Sequence, residues 1–288
     1  MSMFGEDMNT VGVIGLGYVG TAVQRGFETV KRVVTYDIAK ECTESSIADI
    51  VYKAPIIFIC VPTPMNQDGT CNIDIVRKVL TEISVSPMGM KPICVLKSTV
   101  TPGTTDLLAE EFPNVTMCFN PEFLTEKNYI NDFVAQRNII LGYTKNSTAL
   151  DIKPVAMLYN TRFVNGNVWT TTAKEAEMVK YTANTLLATK VAFLNEIWQI
   201  CKKTGINYNH VANHLSMDER LGNTHWQVPG PDGKMGFGGT CFPKDLNALI
   251  QFGEQNGQAT PLLRSVWEKN LELRPERDWE QDKGRAVI

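Results

Sequence analysis

Cysteine pairs, long apolar runs and an excess of positive charge are all missing from this 288-residue chain. The seven cysteines are odd in number, scattered and never in a C-x-x-C pair. That argues against a disulfide framework or a zinc ribbon and for a reducing, cytoplasmic compartment. The longest apolar stretch, Ile56-Ile57-Phe58-Ile59-Cys60-Val61, is closed on both sides by proline and is far too short to span a bilayer. The first residues are acidic and lack an apolar core, so no signal peptide is expected. With 28 Lys+Arg against 31 Asp+Glu the formal charge is −3, which gives no electrostatic reason to expect a nucleic-acid or membrane partner. His210 and His214 have helical i, i+4 spacing, but no glutamate follows the first and no third ligand is near, so no metal is expected.

What remains is a globular composition, 43% hydrophobic and 20% charged, with length enough for about two domains. Short runs rich in Val and Ile at 11–15, 32–37, 56–61, 93–98, 115–120 and 138–143 read as buried strands. Segments 18–30, 74–83 and 103–111 read as helices between them, and this alternation predicts a parallel sheet covered on both faces. The second half changes character. Segment 172–203 has no proline or glycine, opens with a Thr172/Glu175 capping box and stops at Gly205. It predicts one helix of roughly thirty residues, apolar over most of its circumference and therefore buried. Pro243 and Pro261 each stand where a first-turn proline would, followed by amphipathic stretches to Asn256 and about Leu273.

Four patterns carry chemistry. Gly15-Leu16-Gly17-Tyr18-Val19-Gly20 follows an apolar strand, opens a helix, and precedes a second strand ending in Asp37. This is the context of a dinucleotide site: the glycines let a pyrophosphate reach backbone N–H groups, and Asp37 would accept from both ribose hydroxyls. A carboxylate there repels a 2′-phosphate and favours NAD over NADP. Gly236-Phe237-Gly238-Gly239-Thr240-Cys241 makes a loop whose backbone can press against a ligand, with Cys241 just before a helix N-terminus that favours a thiolate. Asp245, four residues on, can return to the same side. Lys180 and Asn184 share one helix face; the lysine either snorkels to solvent or, with Asn184, holds an alkoxide. Glu122 and Glu126 follow a strand, where they form either a proton-handling pair or an exposed acidic loop.

Val13 to Gly20, Val61-Pro62-Thr63-Pro64, Lys97-Ser98-Thr99-Val100, Asn120 to Leu124, Lys180-Tyr181 with Asn184, and Gly236 to Asp245 occur here in the order found in the UDP-glucose/GDP-mannose dehydrogenase family, which the chain resembles over almost its whole length. The resemblance implies an α/β protein: a Rossmann-like doubly wound domain at 1–171, an all-helical dimerisation and substrate domain at 172–283 with a long central helix, and at 284–288 the first strand of a further domain. It implies oxidation of a nucleotide-sugar C6 alcohol, UDP-glucose to UDP-glucuronate, with NAD as cofactor. Cys241 would capture the aldehyde as a thiohemiacetal and then form a thioester. Lys180 and Asn184 would stabilise oxyanions, Asp245 would assist proton transfer, and Thr99, Glu122 and Glu126 would handle the hydrolytic water. NAD would lie on Gly15, Gly17, Tyr18, Val19, Gly20, Asp37, Pro62, Thr63, Ser98 and Thr99. The sugar nucleotide would meet Phe123, Leu124, Lys180, Asn184, Phe237, Gly238 and Gly239. Asp218-Glu219-Arg220-Leu221-Gly222 matches a family stretch whose arginine reaches the neighbouring subunit's substrate, so Arg220 implies a homodimer. Two features depart from the family: a shortened 38–55 segment, implying a missing strand or helix, and no further dinucleotide-fold domain within the chain. The competing readings are a two-electron β-hydroxyacid or 6-phosphogluconate-type dehydrogenase, against which Cys241 argues, and a non-catalytic nucleotide-sugar-binding subunit.

Overall fold

The computed structural model describes residues 9–87 and 90–288. Its sheet runs through β1 (Thr10–Ile14), β2 (Arg32–Tyr36), β3 (Ile56–Ile59), β4 (Ile93–Leu96), β5 (Thr116–Phe119), β6 (Asn138–Tyr143) and β7 (Asn167–Thr172), in the spatial order β2-β1-β3-β4-β5-β6-β7. The expected strands are all present, most of them one or two residues shorter than their β-branched runs. The expectation of an all-parallel sheet is corrected at one place: β6 runs antiparallel to β5, and β7 follows β6 in parallel. Alternation of strands and helices in sequence does not by itself fix strand direction.

Side chains of successive strand residues point to opposite faces. Ile57 and Ile59 therefore join Ile14, Leu80, Leu96 and Phe119 on one side of the sheet. Phe58 joins Val13, Phe27, Phe133 and Tyr159 on the other. The helices between the strands are α1 (Tyr18–Phe27), α2 (Ile47–Lys53), α3 (Asp74–Val85), α4 (Thr104–Glu111), α5 (Tyr129–Ala135) and α6 (Lys153–Arg162).

The 38–55 segment holds the seven-residue α2, and β2 is one edge of the sheet. The segment also runs beside that edge: Thr35 N–H donates to Thr43 Oγ1 (2.8 Å), and Glu44 N–H donates to the Thr35 carbonyl (3.1 Å).

Helix α7 (Ala173–Thr204) is 32 residues long. Its start is the anticipated capping box, with Glu175 N–H donating to Thr172 Oγ1 (3.3 Å) and Thr172 N–H to Glu175 Oε2 (3.0 Å). It stops at Gly205, whose φ of +73° few other residues tolerate. The expectation that α7 is buried is corrected: Leu186, Phe193 and Ile200 are 66%, 59% and 53% exposed in the single chain. The chain continues into α8 (Tyr208–Leu215), α9 (Phe242–Gln255) and α10 (Pro261–Leu273).

By internal contacts the chain divides into two compact units, and the division falls inside α7. The first runs to Thr63 and resumes over Ile73–Lys180; the second comprises Pro64–Asn72 and Tyr181–Ile288. In the second unit Ala188, Phe237, Leu246, Ile250 and Val266 form one apolar cluster. Leu194, Cys201, Tyr208, Ala212 and Val228 form another. Met65 pairs with the end of the chain, donating its N–H to Ala286 and accepting from Ile288. Among the described residues no helix is long and apolar enough to cross a membrane.

Candidate active site

The first unit carries the glycine turn. Gly15 has φ +89°, and a Cβ there would stand 2.7 Å from the Cys60 carbonyl oxygen. A Cβ on Gly20 would stand 1.7 Å from the Gly15 carbonyl oxygen, so strand and helix meet with no room for a side chain. Gly17 is different: nothing lies within 4 Å of where its Cβ would be. The open side at Gly17 is the cradle a pyrophosphate requires. Asp37 stands at the same turn, accepting from Leu16 N–H (2.6 Å) with one carboxylate oxygen and from Ala39 and Lys40 N–H with the other. Tyr18 and Val19 open α1, and the Tyr18 ring packs 5.2 Å from Tyr129. Thr63 Oγ1 donates to the Thr99 carbonyl (2.7 Å), and Ser98 Oγ donates to the Val61 carbonyl (2.6 Å). These two bonds tie the loops after β3 and β4, which carry Pro62, Thr63, Ser98 and Thr99. The residues present fit a bound dinucleotide.

The carboxyl end of β5 carries Asn120-Pro121-Glu122. Lys180 Nζ stands 2.8 Å from Glu122 Oε1 and donates to the Glu122 carbonyl at 2.6 Å, while Leu124 N–H donates to Glu122 Oε2 (2.7 Å). Lys180 is 3% exposed, so it does not snorkel to solvent. Burial works against the Glu122 carboxylate, yet the Lys180 ammonium beside it holds it below the ordinary glutamate range. Phe123 stacks under the same ammonium, 5.5 Å away, and Leu124 packs on the sheet core. Glu126 is exposed.

The sequence pattern gave no role to Lys97. It is 3% exposed and donates to Asn120 Oδ1 (2.7 Å), which Tyr159 also approaches with its hydroxyl (2.5 Å). Burial pushes Lys97 down to about 8, against the opposing pull of Cys60 and Glu122.

The second unit carries the cysteine. Cys241 is the residue before α9, with Pro243 in the first turn, as the spacing predicts. Asp245 N–H donates back to the Cys241 carbonyl (3.0 Å). Asp245 is 1% exposed and is held from two sides, by Asn184 Nδ2 (2.5 Å) and Lys244 Nζ (2.5 Å). Burial works against the charge on Lys244, but Asp245, with Cys241 and Cys71, raises it above the ordinary lysine value. Lys244 is the second residue the sequence pattern left without a role; its signal was its place between Pro243 and Asp245.

The loop ahead of Cys241 is fixed by side chains from far along the chain. Asn195 Oδ1 accepts from Gly236 N–H (3.0 Å). Asn270 takes both sides of Phe237, accepting from its N–H (2.7 Å) and donating to its carbonyl (2.8 Å). A Cβ on Gly238 would stand 2.6 Å from Arg274 Cζ and Nε and 2.5 Å from Asp278 Oδ1. Arg274, 3% exposed, is itself clamped by Asp278 (2.7 Å) and Asp232 (2.6 Å). Arg220 stands outside this cluster: its side chain is 87% exposed and paired with Asp218.

Comparison with known proteins decides the family. The model of the UDP-glucose/GDP-mannose dehydrogenase family NAD-binding domain matches residues 42–162, and that of its central domain matches 174–272. The chain belongs to the UDP-glucose/GDP-mannose dehydrogenase family. It is 30% identical to the UDP-glucose 6-dehydrogenase TuaD of Bacillus subtilis, over 93% of this chain and 64% of that one. It is 32% identical to the UDP-glucose 6-dehydrogenase of Pseudomonas aeruginosa, over 81% of this chain and 52% of that one. The structure of a UDP-glucose dehydrogenase from Pyrobaculum islandicum superposes with a TM-score of 0.81 at 28% identity, over 98% of this chain and 72% of that one. The chain thus spans between about half and two thirds of the length of these two curated relatives. The family description of the matched first-unit region indicates NAD as the cofactor.

Proposed function

We propose that this protein is an NAD-dependent nucleotide-sugar 6-dehydrogenase that oxidises the C6 alcohol of UDP-glucose to the carboxylate. The observation that carries this reading is the group around Cys241: a thiol at a helix start, a buried Asp245 four residues on, and Asn184 bonded to that carboxylate. A hydroxyacid dehydrogenase that performs one oxidation has no use for the thiol.

Bound NAD would accept one hydride in each of the two oxidations. The chain's own residues do the rest. In the first oxidation the C6 hydroxyl passes its proton to a water held by Asp245, Lys180 and Asn184 stabilise the resulting alkoxide, and that alkoxide collapses to the aldehyde as its carbon loses hydride. Cys241 Sγ then adds to the aldehyde carbon, and the carbonyl oxygen becomes the oxyanion of a thiohemiacetal. Loss of a second hydride leaves a thioester. Water adds to its carbonyl, Cys241 leaves as thiolate, and the uronate is released. Glu122, held ionised by Lys180, accepts the proton of that water, with Thr99 and Glu126 orienting it. Asp245 relays protons near the sulfur. The reading requires the Lys180–Glu122 pair and the Cys241 group to act on one carbon.

The same reading includes a homodimer. Leu186, Phe193 and Ile200 recur every seven residues on α7 and are exposed, the pattern of a helix that packs on a partner helix. Arg220, exposed and tied only locally, is the residue such a partner would receive. Sedimentation at micromolar concentration tests this half, and a monomer there would refute it.

The chemical half is tested by incubating the protein with NAD and limiting UDP-glucose while following NADH absorbance. Two NADH and one uronate per sugar are expected. One NADH per sugar would point to a two-electron dehydrogenase, and undiminished uronate from Cys241→Ala would remove the thiol from the mechanism.

A further inference from the structure

We infer that Asn270, with Arg274 behind it, is a positioning residue for Cys241: helix α10 holds the Gly236–Gly239 backbone in the one place that keeps the thiol at the start of α9. The inference rests on the reading of Cys241 as the nucleophile, but its test does not depend on turnover.

Asn270 is 0% exposed, and a buried amide must satisfy both of its ends. It spends both on one residue, Phe237, by the 2.7 Å and 2.8 Å bonds to its N–H and carbonyl. The fit is close, since a Cβ on Gly236 would stand 2.5 Å from Asn270 Oδ1. Four residues on, just past the end of α10, Arg274 supports the next part of the loop, with its guanidinium where a Gly238 side chain would be. Asp232 and Asp278 fix that guanidinium, so it is a wall and not a mobile cation. The loop is therefore specified at Phe237 by hydrogen bonds and at Gly238 by exclusion. Three residues after Gly238 comes Cys241, whose own placement decides how strongly the α9 N-terminus and Lys244 favour the thiolate. Neither Asn270 nor Arg274 has a part to play in the chemistry itself. Their effect on it passes through the loop.

The experiment is the rate of alkylation of Cys241 by iodoacetamide from pH 6 to 10, read by peptide mass spectrometry on the full chain. Lys244 on α9 interacts with this thiol and in turn with Asp245 and with Cys71 from the 64–72 segment, and none of them is altered. In Asn270→Ala the thiol's titration moves to higher pH, and alkylation at neutral pH slows about tenfold. Cys42, in the other unit, keeps its rate within about twofold. Gly238→Ala leaves Asn270 intact and displaces the loop from the Arg274 side; it reproduces the shift and carries the test if Asn270→Ala does not fold. Leu194→Ala removes buried volume from the other apolar cluster of the same unit and supplies comparable destabilisation, with the Cys241 profile expected unchanged. The inference is overturned if neither loop variant shifts the profile, or if Leu194→Ala shifts it equally. Absence of NADH formation in the unmodified protein would instead refute the proposed function and leave this result standing.

Discussion

The two units hold their functional groups by opposite means. In the first, charges face one another across long stretches of chain: Lys180 on Glu122, with Lys97 nearby, pushed down to about 8 by its burial against the opposing pull of Glu122. In the second, neutral amides do most of the holding: Asn195 and Asn270 on the glycine loop, Asn184 on Asp245. The charges there are paired close by: Lys244 with its sequence neighbour Asp245, and Arg274 clamped between Asp232 and Asp278. A group built from buried ions can be unsettled by pH or by removal of one partner, because the other is left unpaired in a poor solvent. A group built from amides has no proton to lose in the ordinary range. The first arrangement responds to protonation, and the second suits a loop that must keep its shape.

The comparison can be broken most severely at Lys180. Lys180→Met leaves Glu122 buried without its counter-ion; urea unfolding should show a loss of about 3–5 kcal/mol, and NADH formation should fall by about a thousandfold. A loss below about 1 kcal/mol would mean that the pair is solvated and that the ionic description of the first unit is wrong.

Lys97 gives the pH signature. Its folded-state pKa is depressed, to about 8 from 10.5, so the unfolded chain binds the proton more tightly. Stability from this residue is therefore present above the unfolded value and lost as pH falls through the folded one. Relative to Lys97→Met, the wild type should gain stability between pH 8 and 10.5, by about 3 kcal/mol at most. Urea midpoints of the two proteins across that window check it, and a parallel pair of curves would refute it.

Gly20→Ala tests the turn of the first unit apart from its charges. The added methyl must push away the Gly15 carbonyl, at an expected cost of about 1–3 kcal/mol and with weaker NAD binding by calorimetry. Gly17→Ala, with open space around it, should leave stability nearly unchanged and act only on NAD binding.

The gentlest change sharpens the contrast by importing a charge into the second unit. Asn184→Asp places two carboxyls in contact, and one of them must keep its proton. A carboxyl whose folded pKa is raised contributes stability that is lost as pH rises, about 1.4 kcal/mol for each tenfold gain in proton affinity on folding. The variant should lose stability relative to wild type from acid toward neutral pH, by denaturation at fixed steps. Indifference to pH would mean that Asn184 is not in contact with Asp245.

Much of this was legible in the sequence, for local reasons. Strands such as Ile56–Ile59 announce themselves because a fully buried strand needs branched apolar residues in succession. The start of α7 was legible because a capping box is made by residues three apart. Cys241 was legible through glycines and a proline whose conformational demands are their own. Strand β7 was not: Asn167–Thr172 lies at the sheet edge, half exposed and rich in threonine, with no apolar run to mark it. The antiparallel turn of β6 leaves no local trace either. Lys97 was passed over because a lysine after a strand ordinarily reaches water, and only the fold places Asn120 beneath it. Asn195 and Asn270 carry no signal, since their partners lie 41 and 33 residues away.

The edge strand β2 has a consequence for how such a protein survives in a crowded solution. An edge strand ordinarily presents a row of unpaired N–H and C=O groups, a template on which a stranger's chain can pair and seed aggregates. Here Thr43 and Glu44 occupy the outward-facing groups of Thr35, and Lys53 sits over Glu44 as a neighbouring charge. Two residues of loop thus act as a gatekeeper on the open edge.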